Sequence, residues 1–192
     1  MFKKTIFSTL FFFVITGCSS NMKTEKFIGQ QLKFVLEEYF DGPTKAWGMF
    51  HDRFGNLKRQ FVVEIFGSWD GSILTLDEHF EYSDGEYVRR IWKITKLDDN
   101  NYTGTAGDII GKANGTSYGN ALNWIYVMDL GVGKQTVRVK FNDWMFLQPD
   151  GVLLNRAEIS KWGFQLGIVT LSFSKQNSDS NKSIISQKRA AE

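Results

Sequence analysis

The stretch from Ile73 to Ile94 limits what this chain can become more than any other. It reads ILTLDEHFEY, then SDGE, then YVRRIWKI, two runs alternating apolar and polar around a turn signal. Loop length fixes the register of such a hairpin, and register decides which side chains face inward. A two-residue Asp84-Gly85 loop sets Leu76 across from Lys93 and Phe80 across from Arg89. A three-residue loop, Ser83-Asp84-Gly85 with Gly85 in the left-handed position, gathers Leu74, Leu76, Phe80, Tyr82, Val88, Trp92 and Ile94 on one face. Thr75, Asp77, His79, Glu81, Arg89 and Lys93 then share the other face, with Ile91 out of pattern. The three-residue loop is the consistent choice, and it sets Glu78 directly opposite Arg90 on the apolar face.

The rest of the chain repeats this grammar. Turn signals recur at Asp41-Gly42-Pro43, Phe54-Gly55-Asn56, Asp70-Gly71, Asp98–Asn101, Asn114-Gly115, Leu130-Gly131 and Pro149-Asp150-Gly151, with period-two segments between them. Leu36 to Gly42 has helical apolar spacing and then glycine, which predicts a short helical turn before the first strand, Lys45 to Asp52. A two-residue Asp70-Gly71 loop pairs Ile65 with Leu76 and Val63 with Glu78, and sets Phe61, Val63 and Ile65 on the inner face. Arg59 falls on that face near the strand end. Tyr102 to Ile110 is a strand thinned by Gly104 and Gly107, where glycine signals close backbone approach or a bend. Trp124, Tyr126 and Met128 share one side of Ala121–Leu130.

A three-residue loop at Pro149-Asp150-Gly151 turns Asp143 and Asn155 inward. It pairs Trp144 with Arg156 on the outer face, where a cation–π contact is expected. With a last strand at Leu166–Ser174, residues 27–174 hold nine or ten antiparallel strands. The fold class is all-β: a single antiparallel meander barrel with a short N-terminal helical turn, closed because closure removes sheet edges. Barrels of this strand number can enclose one small ligand.

The N-terminus reads as an address. Met1-Phe2-Lys3-Lys4, an apolar run from Ile6 to Ile15, and Ile15-Thr16-Gly17-Cys18 form a secretory signal over residues 1–17. Its apolar core is too short to span a bilayer, which takes about 20 residues. The last four residues resemble the bacterial lipobox, which implies acylation of Cys18, the sole cysteine, and leaves no disulfide or cysteine-based metal site. Removing Lys3 and Lys4 lowers the formal charge of +2 to zero, which removes the reason to expect nucleic acid. Ser19 is not the Asp of an inner-membrane retention signal. The expected location is therefore the outer membrane, lipid-anchored and facing the periplasm, with residues 18–26 as tether. Protein partners stay open. The polar, aperiodic tail 175–192 is expected to be disordered.

The combination Ala46-Trp47-Gly48, Asp52-Arg53-Phe54-Gly55, Gly67-Ser68-Trp69-Asp70-Gly71, Leu76-Asp77-Glu78, Arg90-Ile91-Trp92, Gly119-Asn120-Ala121, Asp143-Trp144-Met145 and Asn155-Arg156-Ala157, with Asp84-Gly85, resembles the Gram-negative lipoprotein family of domain of unknown function 3833. The likeness covers nearly all of the mature domain and carries no activity with it. The architecture also resembles the lipocalin and fatty-acid-binding (calycin) barrels, with Tyr39 to Trp47 similar to the lipocalin turn, glycine and tryptophan at the first strand.

Several motifs lead nowhere chemically. Gly115-Thr116-Ser117-Tyr118-Gly119 fits the G-x-S-x-G pattern of a hydrolase nucleophile. That motif needs a strand before it and a helix after it, whereas here it reads as a glycine-rich loop between strands. Two histidines, His51 and His79, without a free cysteine argue against zinc. No catalytic residue, metal or cofactor is assigned. Arg59, Glu78, Arg90, Asp143 and Asn155 remain as an inward polar cluster, beside Phe61, Val63, Leu76, Phe80 and Trp92. One reading is an ion-pair network that seals a filled core and fixes register; the protein would then be an accessory envelope lipoprotein acting through partners. Another is a site where arginine forks hold the carboxylate or phosphate of a hydrophobic ligand such as a fatty acid or lipid. A third is acid–base catalysis by Glu78 or Asp143 on a lipid-like substrate.

Overall fold

A computed structural model describes residues 22–133 and 135–176. Cys18 and the signal before it, and the tail from residue 177, lie outside the described residues. Ten antiparallel strands follow in chain order, and the first pairs with the last, closing the sheet. They are β1 (Gly42–Asp52), β2 (Leu57–Trp69), β3 (Ile73–Tyr82), β4 (Tyr87–Lys96), β5 (Asn101–Thr105), β6 (Ala113–Tyr118), β7 (Ala121–Val132), β8 (Gln135–Leu147), β9 (Leu153–Lys161) and β10 (Phe164–Lys175). The closed all-β meander is as expected, and it is consistent with a lipocalin-like barrel.

The β3–β4 hairpin has the three-residue loop. Phe80 faces Val88, Glu78 faces Arg90 and Leu76 faces Trp92, with Gly85 at φ +84°. The β8–β9 register is also as read, with Met145 opposite Asn155 and Asp143 opposite Ala157.

Elsewhere the structure corrects the reading. β2 and β3 pair Ile65 with Glu78 and Val63 with Phe80, a shift of two residues that keeps the inner face. The Asp70 carboxylate accepts from the amides of Ser72 and Ile73, so Gly71 and Ser72 make the turn instead of Asp70-Gly71. β7 continues through Leu130-Gly131 to Val132 rather than turning there, and β10 continues to Lys175.

The Gly115–Tyr118 segment is strand, not loop. A side chain at Gly115 would begin 2.3 Å from the Trp124 ring and one at Gly104 would begin 2.8 Å from it. These strands are glycine-bearing because an inward indole lies across them. No contact requires Gly107, which has open space around it.

One end of the barrel is plugged. The helical turn α1 (Leu36–Phe40) caps it, and Phe34, Leu36 and Phe40 are fully buried. The Tyr39 hydroxyl donates to the Phe173 carbonyl at 3.2 Å. Burial opposes ionisation of Glu37, yet its bonds from the Lys96 ammonium (2.5 Å) and the Tyr102 hydroxyl (2.9 Å) hold its carboxyl below the usual range. A 3-10 turn, Thr24–Phe27, packs on the outer wall near this end. Phe27 lies 6.3 Å from Trp144 and 5.6 Å from Phe146, and Trp144 stacks on Phe146. Trp144 does pair with Arg156 on the outer face, but its ring is covered by Phe27 instead of engaging the guanidinium.

The other end is open and carries exposed aromatics on adjacent hairpin tips: Phe54 (75% exposed) between β1 and β2, and Trp162 (87%) with Phe164 between β9 and β10. The wall is irregular between β4 and β7. β4 pairs with β5 only from Lys93 to Lys96, and β6 with β7 only up to Ile125. The connection from Ala106 to Lys112 fills the gap, bonded to β7 through Ile110 N–H to Val127 O (2.8 Å) and Asp129 N–H to Asp108 O (3.0 Å).

Candidate functional site

Alternation along ten strands turns every second side chain inward, and these side chains leave a chamber of about 820 Å³. It runs from Leu36 and Phe40 at the plug to Lys58, Arg59, Asp84 and Glu86 at the open end. Phe61, Val63, Leu76, Phe80 and Trp92 all line it, as the alternation predicts, joined by Trp124, Met128 and Phe141 from the far wall. The aromatic side chains contact one another. Trp92 meets Trp124 edge-on at 5.7 Å and Tyr126 at 5.5 Å, and Tyr126 stacks on Phe141 at 4.9 Å.

A polar band crosses this apolar chamber at mid-depth. The structure brings Glu78, Arg90, Asp143 and Asn155 to the chamber wall. The cross-strand pair is loose, with Glu78 Oε2 3.9 Å from Arg90 Nη1. Asp108, from the connection between β5 and β6, holds the arginine instead. Arg90 Nη2 donates to Asp108 Oδ2 at 2.7 Å, and Nε donates to both carboxylate oxygens, at 3.0 and 3.2 Å. The Tyr126 hydroxyl donates to Asp143 Oδ2 at 3.4 Å, and Asn155 Nδ2 donates to the Trp144 carbonyl at 3.3 Å.

Arg59 stands apart at the open end. It lies over the Tyr82 ring at 3.5 Å and donates to Asp84 (2.7 Å) and Glu86 (2.5 Å). Both sequence-predicted arginines therefore already hold carboxylates of this chain.

Electrostatics follow from this burial. The Glu78 and Arg90 side chains are 13% and 18% exposed. Burial pushes the Glu78 carboxyl up to about 7, against the pull of Arg90 and with the help of the Asp108 charge. Burial likewise pushes Asp143 up to about 7, against its bond from Tyr126 and the attraction of Arg90. Arg90 stays charged, because Glu78 and Asp108 more than offset its desolvation.

Asp108 escaped sequence reasoning because its connection has no periodicity. Tyr126 was placed on the correct face, but nothing in the alternation shows that its hydroxyl reaches Asp143. Ser117 is buried in β6 and donates to the Phe34 carbonyl at 2.8 Å, while His79 lies on the outer wall beside Asp77. Among the described residues no group of three His, Cys, Asp or Glu is placed to hold a metal.

Fold and site together define a class: a closed antiparallel barrel around an apolar chamber with a buried, mostly acidic band. The chain belongs to the family described as protein of unknown function (DUF3833), whose model matches residues 12–175. No curated protein matches it.

Proposed function

We propose that this protein binds or carries a hydrophobic molecule, a fatty acid or another lipid, inside the barrel. The observation that supports this reading is the chamber itself. Its volume of about 820 Å³ lies within the roughly 300–1,000 Å³ common for ligand pockets, and its walls are largely aliphatic and aromatic. A barrel filled by its own side chains, acting only through partners, has no use for such a space. The exposed Phe54, Trp162 and Phe164 offer an apolar rim around the opening, where an apolar ligand can enter or leave without full hydration. In this reading the Cys18 lipid anchors the protein to the outer membrane, and the barrel faces the periplasm.

Native mass spectrometry on protein purified gently from its own host tests the reading. The expected spectrum shows a bound apolar species that is lost on denaturation. A spectrum free of adducts, together with no uptake of a neutral fluorescent apolar probe, overturns the proposal.

A further inference from the structure

Two neighbouring acceptors of the polar band are left open. Asp143 Oδ1 and Asn155 Oδ1 are buried without a partner, in residues only 7% and 5% exposed. Both residues line the chamber. They are diagonal neighbours on its wall, since Asp143 pairs with Ala157 and Asn155 with Met145. Their other polar atoms are engaged, by the Tyr126 hydroxyl and the Trp144 carbonyl. Arg90 does not satisfy them: its Nε and Nη2 are held by Asp108, and its Nη1, which makes no hydrogen bond among the described residues, lies 3.9 Å from Glu78 Oε2. At the open end the single Arg59 guanidinium faces the two carboxylates of Asp84 and Glu86. The wall at Asp143 and Asn155 therefore has acceptors to spare, while the unpaired buried N–H donor, Arg59 Nε, is at the open end. An acceptor left buried and unpaired is destabilising, and native proteins leave few of them.

We propose that the chamber takes an amphiphile whose apolar chain lies along Phe61, Phe80 and Trp92 and whose polar end is an uncharged or cationic hydrogen-bond donor (a hydroxyl, amide or ammonium) held by Asp143 and Asn155. A carboxylate of equal chain length is disfavoured there, because it offers no donor to the two open acceptors and adds negative charge beside Glu78 and Asp143. The inference rests on the reading that the barrel binds an apolar ligand, and it narrows that ligand away from a free fatty acid by fixing the chemistry of its polar end.

Protonation refines the prediction. Asp143 is faced by Tyr126 from β7, Arg90 from β4 and Glu78 from β3. With its carboxyl displaced to about 7, Asp143 at low pH has a proton of its own to give a neighbouring acceptor such as Asn155. Above that pH both carboxyls ionise, which strengthens the hold on an ammonium and further opposes a carboxylate.

The test is calorimetric titration of the full chain with dodecanol, dodecylamine and dodecanoate at pH 6 and pH 8, repeated with Asp143→Leu and Asn155→Leu. At pH 8 the alcohol and the amine are expected to bind at least about tenfold more tightly than the carboxylate, a difference of roughly 1.4 kcal/mol. The amine gains further from pH 6 to pH 8. Each substitution is expected to shrink the discrimination to less than about threefold, with circular dichroism confirming the fold; if one variant fails to fold, the other decides. Dodecanoate binding as tightly as dodecanol overturns the inference and leaves the proposed function standing. A donor preference unchanged in a folded variant overturns the assignment to these residues. Failure of all three amphiphiles to bind overturns the proposed function as well.

Discussion

Arg90 shows how far a single buried charge can be read from register alone. The Asp84-Gly85 turn correctly sets it opposite Glu78, yet its close partner is Asp108, 18 residues further along the chain. Glu78 is thereby left beside a guanidinium that is already paired, and it stays close to neutrality with Asp143. This has a pH signature. Both carboxyls titrate near 7 in the folded protein and near 4 when unfolded. Between those values the folded state holds more protons at these two groups, so their contribution to stability is full below about pH 4 and declines as pH rises to about 7. The melting temperature is expected to fall from pH 5 to pH 8 by the equivalent of a few kcal/mol. Asp143→Asn, which removes one of the two titrating groups, should recover about half of that fall. An unchanged pH slope in this variant, measured by thermal denaturation, shows that Asp143 is ionised throughout.

At the scale of elements, what could be read in the sequence follows the strength of local signals. Alternation around Gly85 and around Pro149-Asp150-Gly151 fixed two hairpins to the residue, including the inward placement of Asp143 and Asn155. The β2–β3 turn was misplaced by one residue because the Asp70 carboxylate caps the amides ahead of it, a side-chain effect invisible to alternation. β6 was read as a loop because its small residues look like turn chemistry. Gly115 is there because Trp124 occupies the space a side chain would need. Asp108 lies in a connection held by only an isolated bridge between Ile109 and Met128, so its contribution to the site had no local signature. The hairpin tips carry a prediction of their own. Phe54, Trp162 and Phe164 are exposed, so replacing all three with Ser should cost little stability. In a Cys18→Ala background, which removes the proposed anchor, the triple substitution is expected to lower co-sedimentation with lipid vesicles several-fold, since aromatic rings favour the membrane interface. Equal co-sedimentation removes the rim from the account of ligand exchange.

For the whole molecule the open question is where the barrel is held. On the proposal that Cys18 is acylated, Cys18→Ala should release the protein from the membrane fraction, and an unchanged fraction refutes the lipobox. The 3-10 turn at Thr24–Phe27 is docked on the outer wall near the plug, where a side chain at Gly119 would begin 2.2 Å from the Phe27 carbonyl oxygen. Only Ser19 to Lys23 then separate the anchor from the body, a reach of about 20 Å. β1, with 11 residues, spans about 28 Å of barrel height once tilted. A leash that short, fastened at the far end from the opening, cannot let an upright barrel set its mouth on the leaflet that holds it. On that proposal the molecule has a polarity like that of a moored buoy: its closed end stays by the membrane that holds it, and its open end faces away from it.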